Sequence, residues 1–118
     1  MASRPIYGGD WASRADIARD FGIAPRAIRG RVLVAWYRTD SYEGFAVVIG
    51  AVGDRLWIVD AAHCSCRGLE GEWWPEATDA ATLRRRRWWG EDRYAAMVAT
   101  ALDAWEAARE RRAQARPV

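Results

Sequence analysis

One stretch of the chain holds its only histidine and both of its cysteines: Asp60-Ala-Ala-His-Cys-Ser-Cys-Arg-Gly-Leu-Glu-Gly-Glu-Trp-Trp-Pro-Glu76. His63, Cys64 and Cys66 are ligand types of a zinc site, and Asp60, Glu70 or Glu72 would have to complete the set. The spacing argues against zinc. Its usual knuckles put at least two residues between thiolates, and here Ser65 alone intervenes. A second chemistry is a thiol nucleophile, Cys64 or Cys66, with His63 as its base. A base adjacent in sequence rarely meets the nucleophile in space, and no third, orienting group is evident. The preferred expectation is therefore bland. The thiols are small, semi-buried packing groups and His63 makes a structural hydrogen bond. No metal, cofactor or catalytic residue is expected, and the chain is not read as an enzyme.

A loop needs none of these residues merely to turn; Gly68 and Gly71 suffice. The excess chemistry points to a surface for a partner. His63, Arg67, Glu70, Glu72, Trp73 and Trp74 are the candidate partner-binding residues. The paired tryptophans lead, because exposed aromatics concentrate binding energy.

Two basic segments raise the question of nucleic acid. Residues 14–29 have the outline of a helix-turn-helix, with Ala18 at the helix contact, Gly22 at the turn and Ile23 and Ile28 as anchors. Arg26 and Arg29 would then face DNA. Gly30 leaves the second helix only about one and a half turns, too short for a major groove. A helical hairpin capping a sheet is the preferred reading, so nucleic acid ranks behind a host or phage protein as partner. Arg84-Arg-Arg-Arg-Trp-Trp89 mixes charge with aromatics, as phosphate-contacting surfaces do. A helix spreads four consecutive Arg around its circumference, which favours a solvated, salt-bridged face.

The elements that must carry these residues follow from pattern. The chain has 118 residues, 29% of them charged, and is read as one domain over 1–118 with frayed ends at 1–9 and 113–118. It lacks a run of the ~20 apolar residues that cross a bilayer, and residues 1–10 lack a secretory signal's apolar core. The expected location is the cytosol. A formal charge of +2 does not by itself argue for a polyanionic partner. All basic residues are Arg, in keeping with GC-rich coding. Asp10 can cap a helix over 11–21, and Pro25 suits the first turn of a short helix over 25–29. Strands are expected over 31–37, 45–51 and 56–61. Gly53-Asp54 is a tight hairpin signal that sets Ala51 opposite Leu56 and Ile49 opposite Ile58. Phe45, Val47, Ile49, Leu56 and Ile58 then share one face, while Val48, Val52, Trp57 and Val59 share the other. Both faces are apolar, so both should be covered. A short helix is expected over 79–87. A long one over 91–112 has Tyr94, Met97, Val98, Ala101, Leu102, Trp105 and Ala108 at helical spacing. The expected fold is α+β: a three-stranded antiparallel meander packed with an N-terminal helical hairpin and a long C-terminal helix.

Leu33-Val-Ala-Trp-Tyr37, Tyr42-Glu-Gly44, the Asp54-x-Leu-x-x-Val strand, His63-Cys-Ser-Cys-x-Gly-Leu-Glu-Gly-x-Trp73 and Pro75-Glu76 together resemble a family of small, mostly uncharacterised phage and prophage proteins. The resemblance spans roughly residues 14–88, and the His-Cys-Ser-Cys-x-Gly-Leu-Glu-Gly block is its most specific part. Arg67 stands where an aromatic is common, Glu72 where Gln is common, and Trp74 is extra. The resemblance implies a phage or mobile-element origin and a small α+β domain, with no established enzymatic activity. It also implies an accessory or counter-defence role, of the kind in which small phage proteins bind and block host factors, CRISPR–Cas effectors included.

Overall fold

The computed structural model describes residues 4–40, 43–64, 68–88 and 92–115. Five strands form one mixed sheet in the order β1-β2-β3-β4-β5. They are β1 (Ile6–Gly9), β2 (Arg31–Asp40), β3 (Glu43–Val52), β4 (Arg55–His63) and β5 (Glu76–Thr78). The three helices are α1 (Arg14–Phe21), α2 (Ala80–Arg85) and α3 (Asp92–Ala115). The expected three-stranded meander is thus corrected: β2, β3 and β4 are its strands, and each outer strand gains a neighbour. β1 runs parallel to β2, with Ile6 opposite Val34 and Gly9 opposite Tyr37. β5 runs antiparallel to β4, with Leu56 opposite Thr78 and Ile58 opposite Glu76. Neither segment carries an alternating apolar pattern, so their strand character comes from pairing rather than from local preference.

The central hairpin has the register that its turn predicts, with Ala51 opposite Leu56 and Ile49 opposite Ile58. Both faces are buried, and each has its own core. On one, Val47, Ile49, Leu56 and Ile58 pack with Leu83 of α2 and with Tyr94, Val98, Leu102 and Trp105 of α3. On the other, Val48, Trp57 and Val59 pack with Ile17, Ala18 and Phe21 of α1 and with Leu69. Val52 is the exception among the apolar positions, exposed at the hairpin end. A register shift between Val32 and Val34 sends both Leu33 and Val34 to the α3 side. That bulge lets β2 serve both cores despite an apolar run that does not alternate.

The helix ends have local causes. α1 begins at Arg14 rather than at residue 11, because Ser13 is its cap and accepts a 3.2 Å hydrogen bond from the Asp16 N–H. Asp10 instead accepts from the Thr39 hydroxyl at 3.0 Å. Gly22, in the left-handed region at φ +67°, ends α1, and Ile23 N–H reaches back to Ala18 O at 3.0 Å. The expected second helix of the hairpin is a three-residue 3-10 turn, Pro25–Ala27. The Arg14 guanidinium spans it, donating to the carbonyls of Ile28 and, at 3.1 Å, Gly30. These bonds satisfy carbonyls that a longer helix would have satisfied itself. Asp79 caps α2 by accepting from Thr82 N–H at 2.7 Å. The α3 stripe is buried as its spacing predicts, apart from half-buried Met97. No helix among the described residues is long and apolar enough to cross a membrane.

Leu102 is 1% exposed, so Leu102→Ala is expected to cost about 2–5 kcal/mol by loss of transfer energy and creation of a cavity. Glu106 pairs with Arg84 at 3.2 Å on the surface, where removal costs under about 1 kcal/mol. Urea unfolding of both variants checks this; equal losses would mean that α3 does not pack through this stripe.

Candidate functional site

The sequence candidates separate onto the two faces of β4. Residues three apart on a strand point to opposite sides. Asp60 and His63 therefore leave β4 on opposite sides, and Asp60 is engaged in an ion pair with Arg86. Among the described residues no group of three or more His, Cys, Asp or Glu side chains converges on a metal position. Cys66 and Arg67 lie outside the described residues. Cys64 is exposed, which corrects the expectation that it is a semi-buried packing group.

His63 closes β4 on the α1 side. Its Nδ1 lies 2.9 Å from the Cys64 carbonyl oxygen and its Nε2 lies 2.6 Å from the Tyr37 hydroxyl. A carbonyl only accepts, so Nδ1 carries a hydrogen, and in the corresponding neutral tautomer Nε2 is the acceptor for Tyr37 Oη. Both ring nitrogens are thereby occupied, leaving no lone pair for a metal or a thiol in this arrangement. Gly44, directly across the sheet, makes the position possible: a Cβ there would stand 2.3 Å from His63 Nε2. Burial pushes the Tyr37 hydroxyl pKa up, and the carboxylates of Asp20 and Asp10 add to the shift. Tyr37 therefore stays a donor across the neutral range. Its ring packs 5.3 Å from Trp11, whose indole N–H donates to Asp20 at 2.8 Å. Sequence reasoning missed Tyr37, because its partner lies 26 residues away on another strand.

The loop after His63 turns at Gly71 and is anchored by Leu69, which is 1% exposed. Glu70 is exposed and runs its aliphatic stem past Gly22. Glu72 is half-buried, its N–H bonded to Leu69 O at 3.0 Å. The two tryptophans point apart. Trp73 meets Phe21 and Trp57 edge to face, at 4.9 and 5.7 Å. Trp74 is 71% exposed, and its indole N–H donates to Gly71 O at 3.0 Å. Arg26 and Arg29 are both exposed, one on the 3-10 turn and one just after it. The Arg29 carbonyl accepts from Trp57 Nε1 at 3.2 Å.

Beside α2, a groove of about 790 Å³ opens between the end of the sheet and residues 86–88, with His63 and Cys64 at its margin. Phe45 and Val47 contribute apolar surface, Asp40, Glu43 and Asp60 carboxylates, and Arg86 and Arg87 positive charge. The Arg86 guanidinium lies 4.9 Å over the Trp88 ring. Of the four-arginine run, Arg84 is ion-paired with Asp103 at 2.8 Å and Arg86 with Asp60, in line with the salt-bridged reading.

The raised Tyr37 pKa has a pH consequence. The folded chain holds this proton more tightly than the unfolded chain, whose value is near 10.0. The associated stability is complete below that pH and is lost as the pH rises from there through the higher folded-state value. Tyr7, also raised by burial, adds to the loss. Melting curves from neutral to alkaline pH should show the loss for the native chain and a shallower one for Tyr37→Phe. Identical alkaline slopes would contradict the buried, donating hydroxyl.

No protein-family model, no curated protein and no solved structure matches this chain.

Proposed function

We propose that the protein acts by non-catalytic binding of a protein partner, through the loop that carries Trp74. One observation carries the reading: a tryptophan 71% exposed yet fixed in place. Its indole is tied to Gly71 O, and the neighbouring residue, Trp73, is wedged against Phe21 and Trp57. A rigid exposed aromatic loses little freedom on binding, so more of its contact energy appears as affinity. Glu70, exposed nearby in the same loop, supplies polar rim contacts. The phage-type accessory or counter-defence role, in a host cytosol, is the setting suggested by the resemblance of the His63–Trp73 block. The partner would then be a host or phage protein.

Affinity capture from a bacterial lysate, with partners identified by mass, tests the reading. Trp74→Ala should leave stability within about 0.5 kcal/mol and abolish capture. Trp73→Ala should instead destabilise the fold by about 2 kcal/mol or more, because it empties a packed site. Capture that survives Trp74→Ala undiminished would overturn the assignment.

A further inference from the structure

We propose that the outer edge of β4 binds an extended peptide by strand addition, and that this peptide carries an acidic residue two positions from a large apolar one. The inference rests on the protein-binding reading above and names the chemistry of the partner segment.

The edge is open for a countable reason. Val52 and Arg55 flank the two-residue Gly53-Asp54 loop, and residues flanking such a loop exchange both backbone bonds. Counting from Arg55 in twos, Trp57, Val59, Ala61 and His63 turn their backbone groups toward β3. Leu56, Ile58, Asp60 and Ala62 turn theirs outward. β5 meets the first two, at Thr78 and Glu76, and goes no further along β4. The residue that would meet Asp60 is Trp74, and β5 begins only at Glu76. Asp60 and Ala62 are exposed, and among the described residues no backbone group pairs with their outward edge. Unpaired strand edges of this kind are templates for an added strand.

Asp60 and Ala62 also line the 790 Å³ groove, so a strand on this edge would drop alternate side chains into it. Phe45 and Val47 offer an apolar seat. Arg86 is already paired with Asp60, whereas Arg87 is exposed and no described carboxylate pairs with it. An acidic side chain would meet Arg87 while an apolar one, two residues away, met Phe45 and Val47. Nucleic acid fits less well, since its successive phosphates would face Asp40, Glu43 and Asp60, whereas the peptide brings a single carboxylate, placed at Arg87. A second copy of the chain fits less well too, because two outward-facing residues make a short edge for joining sheets.

The test pans a random-peptide display library against the full chain, then measures enriched peptides by fluorescence anisotropy. Enriched sequences should pair Asp or Glu with Phe, Leu or Trp two positions away. Ala62→Pro removes an outward N–H and should weaken binding about tenfold or more. Arg87→Glu should weaken binding likewise and, should Ala62→Pro fail to fold, decides the matter together with amide exchange. In that measurement the Ala62 amide exchanges faster than Ala61 in the free chain and slows on peptide binding. No enrichment, equal binding by Ala62→Pro and the native chain, or an unslowed Ala62 amide would overturn the proposal. So would a dimer that Ala62→Pro dissociates, which would give the edge to a second copy. The two readings fail separately. Lysate capture that needs Trp74 but ignores Ala62→Pro removes strand addition and leaves partner binding. Peptide binding lost in Ala62→Pro, with capture indifferent to Trp74→Ala, removes the tryptophan and leaves the edge.

Discussion

The pairing of Trp57 with Gly50 locks the register on which both cores depend. The Trp57 ring lies where a Cβ on Gly50 would sit, only 2.2 Å from one of its carbons. Slipping β4 by one residue would set Trp57 against Ile49 or Ala51, which have side chains there. It would also exchange the two faces of the strand. In a sheet exposed on one side, such a slip is penalised by stranding apolar groups in water. Here both faces are apolar, so hydrophobicity alone discriminates weakly between registers. Shape must do the rest, and a ring over a glycine supplies it, together with the turn in which Gly53 takes φ +58°.

The same device recurs at the far end of the hairpin, where His63 lies over Gly44. At the Trp57 end the ring is stitched into the α1 side: its N–H reaches the Arg29 carbonyl, and Trp73 packs on it edge to face. At the His63 end the ring stops at Tyr37, and the chain leaves the sheet. One local motif thus serves packing at one end and a polar hydrogen bond at the other. What differs is the neighbour. Trp73 and the Arg29 carbonyl meet one ring; a hydroxyl, raised in pKa by its own burial, meets the other.

What the sequence could show follows from which signals are local. The α3 stripe and the Gly53-Asp54 hairpin are written in consecutive residues, and both are where their spacing puts them. β1 and β5 are short and lack alternation, so only their partners make them strands. The second helix of the hairpin was legible as too short, but not as a 3-10 turn clamped by Arg14 across 14 residues. At the site, His63 was legible as a residue making a structural hydrogen bond, whereas Tyr37 was not legible as its partner. The placement of Cys64 was misjudged, because burial after a strand end depends on where the loop goes next. The groove combines β3, β4 and residues 86–88, a juxtaposition that no single window of sequence contains.

Trp73, Trp74 and the start of β5 show how one short segment bears on both proposed surfaces. Trp73 packs against Phe21, while Trp74, next in the chain, faces solvent. The half-buried Trp73 anchors the segment from which Trp74 projects, and the Trp74 indole is tied back to Gly71 O. The β5 ladder along β4 ends with Glu76 opposite Ile58, short of Asp60. The loop instead departs toward the α1 side, where Trp73 and Leu69 are buried, and the backbone of Asp60 and Ala62 is left facing the groove. The packing that fixes the exposed tryptophan therefore also draws the chain away from the open edge.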